Sequence, residues 1–424
     1  MDDGGVSRIR LLPQARSLQP GGNFGRHFML RVLSHIRVGS LTLHDGDDTH
    51  HVGNADDSTE PHAEIVIHNR DAFGKVLMGG TIAAGEAYID GDWSSPDLTE
   101  VTRLFSANME SMNSMEANQH WYTKIALRIA HAMNRNTHTG SKRNISAHYD
   151  LGNDFFSLFL DPTMMYSAAV FEQADSTLNE AAVAKLDEIC RQLELTPSDH
   201  LLEIGTGWGG MAIHAATHYG CKVTTTTISQ EQFDYASARV KELGLQDQVT
   251  LLCEDYRALT GEYDKLVSIE MIEAVGHNFY SSYFQCCSKL LKPHGKMVIQ
   301  AITITDSRYE SARRDVDFIK RYIFPGGCLP SLGVIAKHIS RDTNLQMVHL
   351  RDITQDYAQT LAQWRERFEN KLDTVREMGF DDRFIRMWEF YFCYCEGGFR
   401  ERIIGTVQLA FAKPGYRPGY SPAE

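Results

Sequence analysis

Glycines that follow a short apolar segment are the residues best placed to bind a ligand in this 424-residue chain. The sequence HLLEIGTGWGG, at 200–210, predicts a strand over 200–204 that bends at Gly205, Gly207 and Gly209 and continues as a helix. Glycine lets the backbone of such a bend approach a ligand closely, and the first N–H groups of the helix lack partners within it. We therefore expect a ligand at the carboxyl end of this strand. The alternative is a tight turn that binds nothing.

The acids around this bend indicate which ligand it binds. The G-x-G-x-x-G pattern also occurs in dinucleotide-binding proteins, which carry an acid about twenty residues further on for the ribose hydroxyls. Here the next strand ends in threonines at 224–227, whereas Glu203 lies in the first strand and Asp255 follows a later one. This arrangement favours S-adenosylmethionine (SAM) over a nicotinamide.

Composition narrows the class of protein. A formal net charge of −13 argues against general nucleic-acid binding, so we expect no nucleic-acid partner. No apolar run approaches the roughly 18 residues of a membrane-spanning helix. The eight cysteines form no C-x-x-C pair, which favours a reducing cytoplasm. The histidines lack the spacing of metal ligands, so we expect no metal site.

A basic segment interrupts the acidic composition. Residues 121–143 contain five lysines and arginines and no acid, and their apolar residues recur at roughly helical spacing. Such a helix can lie on an anionic lipid surface, or it can pack on its own domain with a solvated basic face. The first interpretation predicts a cytoplasmic protein that associates peripherally with the inner face of the membrane.

The second half of the chain alternates between strand and helix patterns, which is typical of a doubly wound α/β sheet. Seven strands are predicted, at 200–204, 221–227, 249–255, 264–270, 295–303, 345–353 and 404–412. Two insertions, at 306–332 and 359–399, could cover a cleft at the carboxyl ends of these strands. The second is rich in aromatic residues, which are more often core than ligand-binding.

The first half is predicted to hold a small α+β unit. Its strands are expected at 63–68 and 75–80, with a polar loop over 44–62. The predicted domains are an N-terminal unit over 1–115, a basic helix and linker over 116–145, a larger unit over 146–415 and a tail over 416–424.

A series of motifs from about Asn144 to Pro414 resembles the cyclopropane-fatty-acyl-phospholipid synthases and the related mycolic acid cyclopropane synthases. The motifs are HYDLGNDFFSLFLDPTMMYS at 148–167, LLEIGTGWGG at 201–210, TTISQEQ at 226–232, EDY at 254–256, SIEMIEAVG at 268–276, YIFPGGCLPS at 322–331 and DYAQTLAQWRERF at 356–368. GEAYIDGDW at 85–93 looks like the small lipid-associated domain of the members that act on phospholipids. The resemblance implies a class I SAM-dependent methyltransferase fold, a Rossmann-like seven-stranded sheet with helical insertions and a small N-terminal α+β lipid-associated domain.

The resemblance also implies a reaction. These enzymes transfer a methylene group from SAM to the cis double bond of an unsaturated acyl chain, here expected in membrane phospholipid. The π electrons attack the sulfonium methyl and leave a carbocation-like centre, and a base then removes a proton so that the ring closes. Such a site must exclude water, which would trap the cation.

Motif matching assigns residues to the cofactor. Those implied to bind SAM are Tyr166, Ser167, Glu203, Gly205, Gly207, Gly209, Thr227, Gln232, Asp255 and Tyr256. For Thr227 and Gln232, capping of the next helix is the alternative or an additional role.

For the base, the resemblance implies a bound bicarbonate in a small polar cage. Glu273, Tyr357 and the backbone of Ile302 match the cage, but Ala168 stands where a cysteine is usual and Gln300 where a histidine is usual. Alanine offers no side-chain hydrogen bond, and glutamine carries no positive charge. The anion is therefore expected to bind less tightly, unless the cage is completed differently. Alternatively, Glu273 takes the proton itself or only caps the following helix.

The altered cage leaves the product open. Proton loss after a hydride shift would give a methylene- or methyl-branched chain, which makes a SAM-dependent C-methyltransferase the alternative to the cyclopropane synthase. A non-catalytic SAM- or lipid-binding protein is a third hypothesis, which the glycine motif, Glu273 and Tyr357 disfavour. The sequence also leaves a homodimer open.

Overall fold

The computed structural model describes residues 22–110 and 151–417 of the chain. The predicted basic helix at 116–145 lies outside these residues. Within the described ranges, no helix combines the length and apolar character that crossing a membrane requires.

Residues 22–110, called the N-terminal unit below, form a four-stranded sheet covered by helices. Its elements are α1 (Gly22–Leu33), β1 (Ser40–Asp45), β2 (Asp48–Gly53), β3 (His62–Ile67), α2 (Asp71–Ile89), β4 (Trp93–Ser94) and α3 (Leu98–Ala107). The strand order is β2-β1-β3-β4, with β1 antiparallel to β2 and parallel to β3. Alternate β1 residues, Leu41 and Leu43, point into the core because side chains alternate between the faces of a strand.

Two predictions for this unit are wrong. The strand predicted at 75–80 lies inside α2, since a short apolar run does not distinguish a strand from a buried helix. Gly80 interrupts that helix with a non-helical backbone conformation. The loop predicted over 44–62 contains β2, which is polar because it is an exposed edge strand that pairs only with β1.

Residues 151–417, called the C-terminal unit, contain the predicted seven-stranded sheet. Its strands are β5 (His200–Ile204), β6 (Lys222–Thr226), β7 (Val249–Leu252), β8 (Tyr263–Ile269), β9 (Leu291–Ile304), β10 (Gln346–Asp352) and β11 (Ile404–Ala412). The order is β10-β11-β9-β8-β5-β6-β7, and only β11 pairs antiparallel, with β9 and with β10. The carboxyl ends of β5, β6, β8 and β9 therefore meet at one edge of the sheet.

Helices cover both faces of this sheet and form the two insertions. They are α4 (Asn153–Ser157), α5 (Leu178–Leu193), α6 (Gly210–Tyr219), α7 (Gln230–Glu242), α8 (Ile272–Val275), α9 (Tyr280–Leu290), α10 (Asp306–Ala312), α11 (Leu332–Asp342), α12 (Thr354–Glu369), α13 (Leu372–Glu377) and α14 (Asp382–Arg400). A π-helical turn at Ile319–Ile323 completes the first insertion. The α/β fold predicted from the strand–helix alternation is confirmed.

Helix α14 joins the two units. The Tyr88 hydroxyl donates to Glu389 Oε2 at 2.7 Å, and the Thr102 hydroxyl donates to the Cys393 carbonyl at 2.6 Å. A Cβ added at Gly397 would lie 2.3 Å from Thr102 Oγ1, so only glycine allows α3 and α14 to approach this closely. The N-terminal unit is thereby held against the insertion that covers the strand ends.

The aromatic residues of the second insertion divide between two roles. Trp388 and Phe392 are buried with Phe155 and Phe159 in a cluster of edge-to-face contacts, which makes them core. A second set from the same helix, Phe390, Tyr391 and Tyr394, lines a cavity at the strand ends.

Candidate active site

A cavity of about 1450 Å³ lies at the carboxyl ends of β5, β6, β8 and β9. It extends into the N-terminal unit, where its walls are mostly apolar. Side chains that line this apolar arm include Phe28, Leu33, Leu43, Ile65, Phe73 and Leu77. The cavity thus connects a polar region at the sheet edge with a hydrocarbon-like one.

The glycine bend after β5 lines the polar region. Gly205 and Gly207 have φ values of 103° and 51°, in the left-handed region that favours glycine. A Cβ added at Gly207 would meet no protein atom within 4 Å, so this side of the bend faces open cavity. Gly209 does not line the cavity, and its added Cβ would lie 3.1 Å from Ala236. Gly209 therefore serves the packing of α6 on α7.

The residues after β6 and β7 line the same region. Thr227 donates to Gln232 Oε1 at 2.9 Å, and Ser229 caps α7 by accepting from the Gln232 N–H at 3.3 Å. Thr227 and Gln232 therefore lie at the capped start of α7 and also line the cavity, so the two predicted roles are compatible. Asp255 and Tyr256 also line the cavity, and Asp255 Oδ1 accepts from Arg257 Nε at 2.8 Å.

Tyr166 and Ser167 also line the cavity. The Tyr166 and Tyr391 hydroxyls lie 3.0 Å apart, and Ser167 accepts from Lys185 Nζ at 2.8 Å. Burial lowers the pKa of Lys185 to about 8, although the negative charges of Glu270, Asp161 and Glu203 act to raise it. Sequence reasoning missed Lys185, because it occupies a buried position on an otherwise ordinary amphipathic helix.

Two carboxyl groups, Glu270 and Glu273, face the cavity just after β8 and are called the glutamate pair below. Glu273 Oε1 accepts from the Ile302 N–H, whereas its Oε2 is buried without a hydrogen-bond partner among the described residues. Burial, and then the charge of Glu270, raise the pKa of Glu273 to about 8. Both causes favour the protonated form of Glu273.

Glu270 accepts hydrogen bonds from three of the residues that the sequence assigns to the cage. Its Oε1 accepts from the Ala168 N–H at 2.9 Å and from Gln300 Nε2 at 2.8 Å, and its Oε2 accepts from the Tyr357 hydroxyl at 2.7 Å. Ala168 and Gln300 are buried behind the cavity wall and do not line it. The structure thus brings Ala168, Gln300 and Tyr357 together around a glutamate of this chain.

These residues do not fit a bound bicarbonate. Gln300 uses its second amide hydrogen for the Ala168 carbonyl at 3.1 Å, and the Ile302 N–H is taken by Glu273. The donors expected from Tyr357, Gln300 and the Ile302 backbone are therefore already used. Sequence reasoning assigned Glu270 no role, although a second acid at the end of a parallel strand was a usable signal.

One further acidic group lies away from the cavity. Ligand atoms of Asp45, Asp48 and His50 lie within 4.8 Å of one another. Arg26 binds both aspartates, and Arg70 Nε donates to Asp45 Oδ1 at 2.7 Å, so these oxygens are already neutralised by cations.

Comparison with known proteins identifies the family. The family model of mycolic acid cyclopropane synthetase matches residues 136–409. This chain belongs to that family. The resemblance found in the sequence motifs is therefore confirmed.

Two family relatives match most of the chain. Tuberculostearic acid methyltransferase UfaA1 of Mycobacterium tuberculosis is 37% identical over 372 residues, which cover 86% of this chain and 86% of that protein. Cyclopropane-fatty-acyl-phospholipid synthase of Escherichia coli K12 is also 37% identical, over 356 residues that cover 83% of this chain and 88% of that protein.

A solved family structure supports the cofactor. Mycolic acid cyclopropane synthase CmaA1, complexed with SAH and CTAB, superposes with a TM-score of 0.60 at 30% identity and covers 64% of this chain and 98% of that one. This member of the family is accordingly a SAM-dependent methyltransferase, with SAM as the methyl donor. The open glycine bend and the polar groups around it fit such a ligand.

We expect Glu203 to make the stability of this family member depend on pH. Burial raises the pKa of Glu203 from 4.5 to about 8, although the Thr225 hydroxyl donates to its Oε2 at 2.6 Å. The native state then holds a proton that the unfolded state releases, so stability falls as pH rises from about 5 to about 8. Glu203→Gln should lessen this slope by up to about 1.4 kcal/mol per pH unit, measured by urea unfolding. Glu262→Gln, an exposed control, should keep the wild-type slope. Parallel curves for all three proteins would contradict the assignment.

Proposed function

We propose that this chain is a cyclopropane-fatty-acyl-phospholipid synthase, which transfers a methylene group from SAM to the cis double bond of an unsaturated acyl chain in membrane phospholipid. The observation that supports this most is the continuity of the cavity. One space joins the glycine bend, the glutamate pair and an apolar arm that reaches into the N-terminal unit. A long hydrocarbon chain is the substrate that such an arm solvates best.

The walls near the glutamate pair suit a cationic centre. Aromatic faces and hydroxyls line this part of the cavity, where they would shield a carbocation from the water that traps it. The aromatic lining residues are Tyr166, Phe324, Tyr357, Phe390, Tyr391, Tyr394 and Phe399. SAM supplies the electrophilic methyl group when it is bound, and the chain's own residues orient the alkene, shield it and accept the proton.

The proposed substrate includes a headgroup, for which the cavity offers cations. Arg308, Arg313, Lys320 and Arg402 line it together with acidic residues such as Asp315. Two of these cations are already in ion pairs at 2.7 Å, Arg313 with Glu310 and Arg402 with Asp352, so a phosphate would have to share them. Lysine and arginine side chains bind phosphate oxygens. The proposed contact with an anionic membrane surface, at the inner face of the membrane, would add the basic segment at 116–145, which lies outside the described residues.

A second candidate function is a SAM-dependent C-methyltransferase that makes methylene- or methyl-branched chains from the same lipids. The altered cage favours it, because Ala168, Gln300 and Glu270 change the group that removes the proton, and proton removal decides the product. The family relative that is a tuberculostearic acid methyltransferase is as similar as the synthase.

Product analysis tests both functions. Purified enzyme, SAM and vesicles of monounsaturated phosphatidylglycerol should yield fatty acids that gain one CH₂ by mass spectrometry and show upfield ring protons by NMR. Olefinic methylene signals with the same mass gain would instead establish the C-methyltransferase. A wild-type enzyme that modifies no lipid would refute both.

We expect that filling the apolar arm impairs lipid turnover without affecting the cofactor. Leu77 lines the arm from α2, far along the chain from the glycine bend. Leu77→Trp should lower turnover on vesicles by roughly tenfold, equivalent to about 1.4 kcal/mol, because the indole occupies space meant for the acyl chain. Calorimetric SAM affinity should stay at the wild-type value. Leu243→Trp, at a position that is 53% exposed and outside the cavity, is the control. Equal turnover of the two variants would argue against an acyl chain in this arm.

A further inference from the structure

The carboxylate of Glu270 accepts three hydrogen bonds at the cavity wall. Three donors hold it, from Ala168, Gln300 and Tyr357, at 2.7–2.9 Å. Gln300 is itself held by Gln408, whose Nε2 donates to Gln300 Oε1 at 3.0 Å. The amide is thereby oriented with its hydrogens toward Glu270. This network is built to hold a negative charge at one position.

The two members of the glutamate pair divide one proton between them. Two carboxyl groups whose charges interact strongly do not ionise together. Glu273 has a single donor and an unpaired Oε2, so it keeps the proton. Burial raises the pKa of Glu270, but its three donors and the nearby charge of Lys185 oppose that shift and favour its ionised form, and Glu273 has no comparable set of donors. At neutral pH, only Glu270 is then able to accept another proton.

The backbone at Glu270 points to the same residue. Its φ is 48°, in the left-handed region where residues other than glycine are uncommon. Such a conformation persists where the surroundings impose it, and it is concentrated at functional sites. Here the left-handed conformation directs the Glu270 side chain from the end of β8 toward its three donors.

We infer that Glu270 is the general base of this enzyme, an internal carboxylate that occupies the anion position and makes a bound bicarbonate unnecessary. The inference rests on the proposed methylene transfer to an alkene. It adds a catalytic residue to that reaction and removes the need for an external co-reactant.

The step balances within the site. The alkene π pair forms a bond to the transferred methyl carbon, and the S–C pair stays on sulfur, which leaves as a neutral thioether. Glu270 Oε2, which has one donor where Oε1 has two, then takes a proton from that methyl group. The released C–H pair closes the second ring bond, and the proton leaves Glu270 for solvent after product release.

The first test is the bicarbonate dependence of the full-length wild-type enzyme. Turnover on monounsaturated phosphatidylglycerol vesicles should be the same in CO₂-free buffer and in buffer with added bicarbonate. Stimulation of the wild-type enzyme by bicarbonate would overturn the inference. A wild-type enzyme that forms no lipid product in either buffer would instead refute the proposed function, which keeps the two failures apart.

The second test compares variants of the glutamate pair. Glu270→Gln should lower turnover by about 10²-fold or more, as expected for loss of a positioned base. Glu273→Gln replaces a neutral acid by a neutral amide, so its loss should be at least about tenfold smaller. The reverse order would assign the base to Glu273 and overturn the inference.

Chemical rescue distinguishes a base from a structural carboxylate. Glu270→Gly suits the left-handed backbone and leaves a space surrounded by the three donors. Added bicarbonate or formate should restore part of its activity with saturation, and it should not restore Glu270→Gln, whose side chain still fills the space. SAM affinity and thermal unfolding of each variant establish that the protein is folded. A folded Glu270→Gly protein that retains full activity, or that no anion rescues, would contradict the inference.

Discussion

Replacing Tyr357 by phenylalanine is expected to lower turnover by about 10²-fold while leaving SAM affinity unchanged. The Tyr357 hydroxyl donates to Glu270 Oε2 at 2.7 Å, and the ring is buried against Phe399. Burial and the charge of Glu270 hold the pKa of Tyr357 well above its ordinary value, so the phenol stays a neutral donor. Phenylalanine fills the same space and removes only this hydrogen bond.

The pH dependence of the variant tests the reason for the loss. A carboxylate that loses a donor becomes easier to protonate, so the pKa of Glu270 should rise in Tyr357→Phe. The acidic limb of the pH–rate profile should therefore move to higher pH, which a purely structural defect would not cause. Tyr263→Phe, at the opposite end of β8, removes a hydroxyl that donates to the Thr260 carbonyl at 3.3 Å and is the matched control. Equal turnover of the two phenylalanine variants would remove Tyr357 from the catalytic residues.

Gly207→Asn should weaken SAM binding by about 10²-fold, equivalent to about 2.7 kcal/mol. An added Cβ at Gly207 meets no protein atom within 4 Å, so a side chain there enters the space that the cofactor is expected to fill. Asparagine is chosen because it tolerates the left-handed region better than most residues, which limits the backbone strain. Isothermal titration calorimetry with SAM measures the effect directly.

A second glycine separates strain from obstruction. Gly244 has φ 69° and also shows no atom within 4 Å of an added Cβ, but it lies outside the cavity. Gly244→Asn should therefore cost a similar amount of stability and leave SAM affinity unchanged. If both variants bind SAM equally well, the cofactor does not contact the bend at Gly207.

Much of this protein follows from local sequence patterns. The strands of the large sheet were predictable because buried parallel strands are short apolar runs separated by helical periods, as at 200–204 and 264–270. The glycine bend was predictable because only glycine adopts its backbone readily, so residue type and conformation are directly linked. The cavity-lining positions of Thr227, Asp255 and Glu273 follow from their places just after strands that end at the same edge.

Other features depend on partners that are distant in the chain. Residues 75–80 carry the same apolar composition as a strand, yet they lie half-buried inside α2, where several of them line the cavity. Strand β2 is polar because it has no buried apolar face. Its backbone pairing with β1 holds it in the sheet. Gly209 belongs to the glycine motif, yet packing against Ala236 on α7 turns it away from the cavity.

The glutamate pair shows the limit of sequence reasoning most clearly. The residue types at 168, 270, 273, 300 and 357 are all visible in the sequence, but the sequence does not show which of their atoms form hydrogen bonds with one another. The left-handed backbone at Glu270 directs its side chain to donors that lie 102, 30 and 87 residues away in the chain. The sequence alone determined that acids and a tyrosine gather near a SAM site. Only the tertiary structure decided which donors Glu270 and Glu273 accept from, because that outcome depends on which donor each carboxylate can reach.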